Sequence, residues 1–75
     1  MKLKNFSLPF GAQIFKSLSD EARVRILHLL LKNGEMTISD LEHILDYTQT
    51  KTSRHVTYLK NSNIVNARKH DQWVF

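Results

Sequence analysis

The stretch SDLEHILDYTQTKTSRHVTYLKNS, residues 39 to 62, contains two helical patterns separated by a short turn. Ser39 followed three residues later by Glu42 predicts a capping box at the start of the first helix, which we expect over residues 39–46. The apolar stripe of this helix is formed by Leu41, Ile44 and Leu45. We therefore predict a short helix with one buried face, followed closely by a longer helix.

The longer helix, predicted over residues 48–62, is very polar for so small a chain. Asp46 and Tyr47 supply the turn before it, and Thr48 can cap its first turn. At about 100° per residue, one side is formed by Thr52, Val56, Leu59 and Asn63, with His55 at its edge. The opposite side carries hydroxyls, an amide and a cation: Thr50, Ser53, Arg54, Thr57 and Asn61.

The outer side of this helix has the chemistry expected of a helix that reads the major groove of DNA. Short Ser and Thr side chains permit close approach, Arg can bind guanine through two hydrogen bonds, and Gln can pair with adenine. The helix N-terminus and Lys51 would favour a nearby phosphate. A solvated helix face would account equally well for any one of these polar residues. The prediction of DNA contact therefore depends on their placement together on one face. The predicted contacts are Gln49, Thr50, Lys51, Ser53, Arg54, Thr57 and Lys60.

A basic hairpin is predicted after the polar helix. Ile64, Val65 and Ala67 favour a strand, residues 69–72 a turn, and residues 73–75 a returning strand. Trp73 is expected to pack this hairpin onto the core. Residues near the tip are predicted to contact the DNA backbone or an adjacent minor groove as a wing: Arg68, Lys69, His70 and Gln72. The predicted fold is mainly α with a small β-hairpin, a winged helix-turn-helix with a core of three to four helices.

Two further helices are predicted upstream. The first follows Pro9, ends near Ser19, and has apolar residues at helical spacing: Phe10, Ile14, Phe15 and Leu18. The second, EARVRILHLLLK, is capped by Asp20 and ends at Asn33 and Gly34. Its predicted core face is formed by Val24, Ile26, Leu27, Leu30 and Leu31. Leu29 falls off that face, which suggests a contact with the first helix or with another subunit, and EMTI after Gly34 could form a brief strand.

Length and charge restrict the class of protein. The 75 residues are sufficient for one domain, which we predict to span residues 1–75, and 41% hydrophobic content is typical of a globular chain. The charge alternates along the chain, at +4 over residues 1–32, −4 over residues 33–47 and +4 over residues 48–75. A basic C-terminal part favours a polyanionic partner. The absence of cysteine and of any long apolar run predicts a cytoplasmic protein without a membrane partner.

The segments SLSDEARVRILHLL, TISDLEHIL, TQTKTSRHVTYLKNSNIV and ARKHDQWVF together resemble the arsenic-repressor (ArsR) family of winged-helix transcriptional regulators. The resemblance covers nearly the whole chain from Ile14 onward. It implies a homodimeric bacterial DNA-binding protein of the fold predicted above. The base-reading positions of the family correspond here to Gln49, Thr50, Ser53 and Arg54, with a wing through residues 68–72.

Two positions depart from that family pattern. Metal-sensing members carry Cys-x-Cys at the start of the third helix, where this chain has Thr37 and Ser39, so thiolate sensing at that site is not expected. Family members also add a final helix that pairs with the first helix across the dimer, whereas this sequence ends at Phe75. A homodimer formed through the first helix and Leu29 is therefore the expectation.

Catalysis and cofactor binding are not predicted. None of the four histidines has a carboxylate or histidine four residues away on one helix face, so no metal site is expected. The acidic residues Asp40, Glu42 and Asp46 belong to a helix exposed to water, and two glycines provide no phosphate-binding loop. The predicted function is a sequence-specific DNA-binding regulator that acts as a repressor on double-stranded DNA. A protein-contact module without a DNA target and an RNA-binding domain are the alternatives.

Overall fold

The computed structural model of the chain describes residues 8–68 and 73–75. Within these residues the chain forms four helices and three short strands. The helices are α1 (Leu8–Ser17), α2 (Glu21–Asn33), α3 (Ile38–Leu45) and α4 (Gln49–Asn61). The strands are β1 (Met36–Thr37), β2 (Ala67–Arg68) and β3 (Trp73–Val74). The predicted winged helix-turn-helix architecture is confirmed, with α3 and α4 as the helix-turn-helix pair.

The ends of α2 follow from its flanking residues, as predicted. The Asp20 carboxylate accepts hydrogen bonds from the backbone N–H groups of Ala22 at 2.8 Å and Arg23 at 3.4 Å. At the other end Gly34 has φ of 82°, a conformation that favours glycine, and its N–H donates to the Leu30 carbonyl at 2.7 Å. Both helix ends are therefore satisfied by short-range contacts.

The start of α3 corrects the sequence prediction. The capping box is formed by Thr37 and Asp40, not by Ser39 and Glu42. Thr37 Oγ1 accepts from the Asp40 N–H at 2.9 Å, and the Asp40 carboxylate accepts from the Thr37 N–H at 3.2 Å. Thr37 is already extended because it belongs to β1, so the helix begins directly after the strand, at Ile38.

The three strands form one antiparallel sheet in the order β1-β3-β2. Met36 pairs with Val74 on one side of β3, and Ala67 pairs with Val74 on the other. Ile64 and Val65 were predicted in a strand, which is wrong: their N–H groups donate to the Leu59 carbonyl at the end of α4. The brief strand after Gly34 is confirmed, and it turns the predicted hairpin into a three-stranded sheet.

The core lies between α2, α3, α4 and the sheet. Its buried members are Ile26, Leu30, Met36, Leu41, Val56, Leu59, Val65 and Val74, and the partly buried residues packed against them are Leu27, Leu29, Ile38, Leu45 and Ile64. Leu29, which was expected to contact α1 or another subunit, therefore packs against the core. Within the described residues, no helix is long and apolar enough to cross a bilayer.

Three residues predicted to be buried are exposed. The exposed fractions are 42% for Val24, 87% for Leu31 and 56% for Ile44. The buried face of α2 is centred on Ile26 and Leu30, so Val24 and Leu31 lie on its opposite side. Asn63, predicted on the inner side of α4, lies beyond the helix end at φ of 60° and is exposed.

Candidate nucleic-acid interface

The inner face of α4 attaches this helix to the core. Thr52 and Leu59 are fully buried and Val56 nearly so, as predicted. The Thr52 hydroxyl donates to the Thr48 carbonyl at 2.9 Å, which satisfies its polar atom in the interior. The Thr48 hydroxyl in turn caps the helix by accepting from the Lys51 N–H at 3.1 Å. One side of α4 is therefore fixed against the core, and the opposite side is left facing solvent.

The outer face of α4 presents polar side chains to solvent. Gln49, Thr50, Arg54, Thr57 and Lys60 are exposed, and Ser53 and Lys51 are half-buried. Most of these residues lie in the first two turns, directly after the turn that joins α3 to α4. Their hydroxyl, amide and guanidinium groups can hydrogen-bond to base edges or phosphates. The helical wheel predicted the exposure of Gln49, Thr50, Arg54 and Thr57, whereas Ser53 and Lys51 are partly covered. Contact with DNA remains a prediction for each residue.

Lys51 has an aromatic neighbour that sequence reasoning did not identify. Its ammonium lies 4.0 Å from the centre of the Tyr47 ring, a cation–π contact that joins the turn to the first turn of α4. Tyr47 sits between the two helices, so the contact holds a positive charge beside the helix N-terminus. The spacing of four residues between Tyr47 and Lys51 is the sequence signal that could have indicated this cation–π contact.

Arg68 lies at the end of β2 that leads into residues 69–72, and it already has protein partners. Its Nε donates to Glu35 Oε1 at 2.6 Å, and the same carboxylate forms an ion pair with its Nη2. The guanidinium also lies 5.7 Å from the centre of the Trp73 ring, on the paired strand. Glu35 was not identified from the sequence because 33 residues separate it from Arg68. The other predicted wing residues, Lys69, His70 and Gln72, lie outside the described residues.

His55 is buried beside the inner side of α4, at whose edge the helical wheel placed it. It is 7% exposed, and burial lowers its pKa below the ordinary histidine value. The Asp20 carboxylate opposes this change, whereas the cations Arg23, Arg54 and Lys51 reinforce it. A packing role for His55 agrees with this burial, and a phosphate contact does not.

A shallow depression lies on the outer side of α3. It is lined by Ser39, Glu42, His43 and Asp46. Across residues 8–68 and 73–75, no three His, Asp or Glu side chains are arranged so that they could hold a metal ion. Thr37 and Ser39, at the positions of the cysteines in metal-sensing members, are the helix cap and an exposed residue.

The fold and the exposed face of α4 define a winged helix-turn-helix protein. Residues 20–67 match the family model described as "Bacterial regulatory protein, arsR family". The chain belongs to this family, as the sequence resemblance predicted. The description of this family is that of a bacterial regulatory protein.

Named relatives agree with this membership. The chain is 36% identical over 74 residues to the cadmium resistance transcriptional regulatory protein CadC of Listeria innocua, covering 99% of this chain and 62% of the relative. It is 43% identical over 70 residues to the arsenical resistance operon repressor of Escherichia coli K12, covering 93% of this chain and 58% of the relative. The chain thus spans about three fifths of the length of these two relatives.

A solved structure shares the fold. HlyU from Vibrio cholerae superposes with a TM-score of 0.78 at 33% sequence identity, over 89% of this chain and 72% of that chain. This likeness extends beyond the helix-turn-helix pair to most of the chain.

Proposed function

We propose that this chain is a sequence-specific DNA-binding transcriptional regulator that acts as a repressor and inserts α4 into the major groove. The observation that carries the proposal is the division of α4 into a buried side and an exposed hydroxyl, amide and guanidinium side. Family membership and the names of the relatives support the same function. A helix that must enter a groove needs an outer face that remains polar and accessible in the free protein.

The proposed contacts divide into base-reading and phosphate-binding groups. Gln49, Thr50, Ser53, Arg54 and Thr57 are the proposed contacts to base edges. Lys51 and Lys60 are proposed to bind phosphates on either side of the groove. Residues 68–72 are proposed to lie along the backbone or the adjacent minor groove, through Arg68, Lys69, His70 and Gln72.

The active species is proposed to be a homodimer formed through α1. Exposed apolar side chains on α1 and directly after it support this surface: Leu8, Phe10, Phe15 and Leu18. Two copies related by a two-fold axis would place their α4 helices in successive major grooves, about 34 Å apart, on a pseudo-palindromic site. The 75 residues contain no cysteine to act as a thiolate ligand for a metal or metalloid effector.

Selection of bound duplexes from a random DNA pool tests this proposal. We expect recovered sequences with two related half-sites, and binding that weakens steeply as salt rises. A salt titration with a random duplex and with single-stranded RNA provides the comparison. Failure to bind any duplex at low salt would favour the protein-contact module, and preference for RNA would favour the RNA-binding alternative.

A further inference from the structure

A cluster of polar side chains joins α1 to the C-terminal end of α4. The Gln13 amide nitrogen lies 2.9 Å from the Tyr58 hydroxyl and 2.9 Å from the Ser62 hydroxyl. An amide nitrogen has two N–H groups, so these two short contacts can use both donors, and the Ser17 hydroxyl lies farther away at 3.5 Å. We call Gln13, Ser17, Arg23, Tyr58 and Ser62 the interhelix cluster. It was not identified from the sequence, because 45 and 49 residues separate Gln13 from its partners on α4.

The rest of the interhelix cluster fixes this arrangement. Ser17 is fully buried, and its hydroxyl donates to the backbone carbonyl of Gln13 at 2.8 Å. Arg23 donates to the Ser17 carbonyl at 2.8 Å and places its guanidinium 4.0 Å from the centre of the Tyr58 ring. Tyr58 therefore contacts α1 through its hydroxyl and α2 through its ring face.

This polar attachment contrasts with the apolar contacts elsewhere in the fold. Among the described residues, none of the core members and none of the side chains packed against the core belongs to α1. Hydrogen bonds are directional, whereas the hydrophobic effect is not. The interhelix cluster therefore gives α1 directional contacts with α4 that the apolar core does not provide.

The cluster is located where it can influence both proposed interfaces. Leu8 and Phe15 of α1 are 75% and 72% exposed, on the helix proposed to contact a second copy. Ser62 is the C-terminal cap of α4, whose opposite end carries the base-reading residues. At about 1.5 Å per residue, α4 is roughly 20 Å long, so a small tilt at Ser62 displaces the Gln49 end noticeably.

We propose that Gln13 is a positioning residue for DNA binding: by fixing α1 against α4, it sets the separation of the two α4 helices in the dimer. The inference rests on the proposed function, because it requires a dimer that binds two half-sites. Gln13 itself does not contact DNA in this proposal. Its effect arises because a preorganised separation avoids the ordering cost that a loose pair of reading helices would incur on binding.

The test compares Gln13→Ala with the wild-type chain on three kinds of duplex. These are the two-half-site duplex recovered by selection, a duplex with one half-site, and two-half-site duplexes whose spacing is changed by one or two base pairs. We expect Gln13→Ala to bind the single half-site nearly as well as wild type. It should lose about fivefold to tenfold on the two-half-site duplex, because it removes both Gln13 hydrogen bonds to Tyr58 and Ser62. Its preference for one spacing should also become weaker.

Tyr58→Phe is the second variant, since it removes only the hydroxyl that Gln13 contacts. It should weaken two-half-site binding in the same way, and the double variant should lose less than the sum of the two single losses. His28→Gln, an exposed change on α2 outside the cluster, is the matched control and should bind like wild type. Thermal unfolding and sedimentation of each variant show whether it is folded and dimeric.

The outcomes separate this inference from the proposed function. Equal losses on one and two half-sites, or an unchanged spacing preference in both variants, would overturn the role of Gln13 and leave the proposed function intact. A wild-type chain that binds no duplex would overturn the proposed function, and the role of Gln13 with it.

Discussion

Helices α1 and α4 have opposite distributions of polar and apolar side chains. In α4 the apolar residues Val56 and Leu59 are buried and the polar residues Thr50 and Arg54 are exposed. In α1 the buried residues are Gly11 and Ser17, while Leu8 and Phe15 are exposed. The apolar residues Val56 and Leu59 of α4 are thus buried within this chain, whereas α1 keeps exposed apolar surface suited to burial against another chain.

The largest expected effect is on the free energy of unfolding, when a buried side chain on the inner side of α4 is truncated. Leu59→Ala should lower the free energy of unfolding by about 2–5 kcal/mol, because it removes buried methyl groups and leaves a cavity. Denaturant unfolding measures this change, with Thr57→Ala on the exposed side as the control, for which we expect a change within about 0.5 kcal/mol. Similar losses from both variants would contradict the two-sided description of α4.

The exposed apolar surface of α1 is tested by Phe15→Glu. If this surface contacts a second copy, the charge should weaken the dimer by at least about 1.5–3 kcal/mol, the value of burying one large apolar side chain. Sedimentation at several protein concentrations measures the dissociation constant. Leu31→Glu places the same charge at an exposed position on α2, where Leu31 is 87% exposed against 72% for Phe15. Dissociation by Leu31→Glu alone would move the partner surface from α1 to α2.

The outer side of α4 is tested by Arg54→Ala. This change should cost about 1–3 kcal/mol of affinity for the selected duplex and relax the base preference, while the stability of the free protein stays nearly constant. Binding measured on selected and random duplexes provides the comparison. A loss of the same size on both duplexes would assign Arg54 to phosphate binding.

A smaller effect is expected for the ion pair between Glu35 and Arg68. Glu35→Gln removes the negative charge that holds Arg68, a partly exposed pair for which we expect about 0.2–1 kcal/mol of stability to be lost. If that pairing keeps Arg68 away from phosphates, its release should steepen the salt dependence of binding by about one phosphate contact. An unchanged slope would mean that releasing Arg68 adds no phosphate contact.

The smallest effect concerns pH. Burial lowers the pKa of His55 in the folded protein, although Asp20 opposes this, so near and below pH 6.5 the unfolded chain binds more protons there than the folded chain does. The contribution of His55 to stability should therefore be constant above its unfolded pKa and decrease as the pH falls through that value. Unfolding measured between pH 7.5 and about 5 should show a shallower slope in His55→Gln. The same slope in His55→Gln and wild type would assign the dependence to other groups.

The success of the sequence predictions depended on distance along the chain. The caps formed by Asp20 and Thr48 were predicted correctly because each side chain contacts a backbone group two or three residues away. The cap of α3 was wrong because Thr37 is extended through its strand pairing with Trp73, a distant residue. The exposure of Val24 and Leu31 was missed because periodicity identifies an apolar face but not the part of it that another element covers.

Sequence alone determined the helix-turn-helix pair and the polar outer face of α4, because capping and helical periodicity act over a few residues and give each side chain its direction. Only the tertiary structure decided that Glu35 holds Arg68 and that Gln13 joins α1 to Tyr58 and Ser62. These contacts connect residues 33 to 49 positions apart. They form only once packing of the core brings the helices and strands together, and no local pattern specifies them.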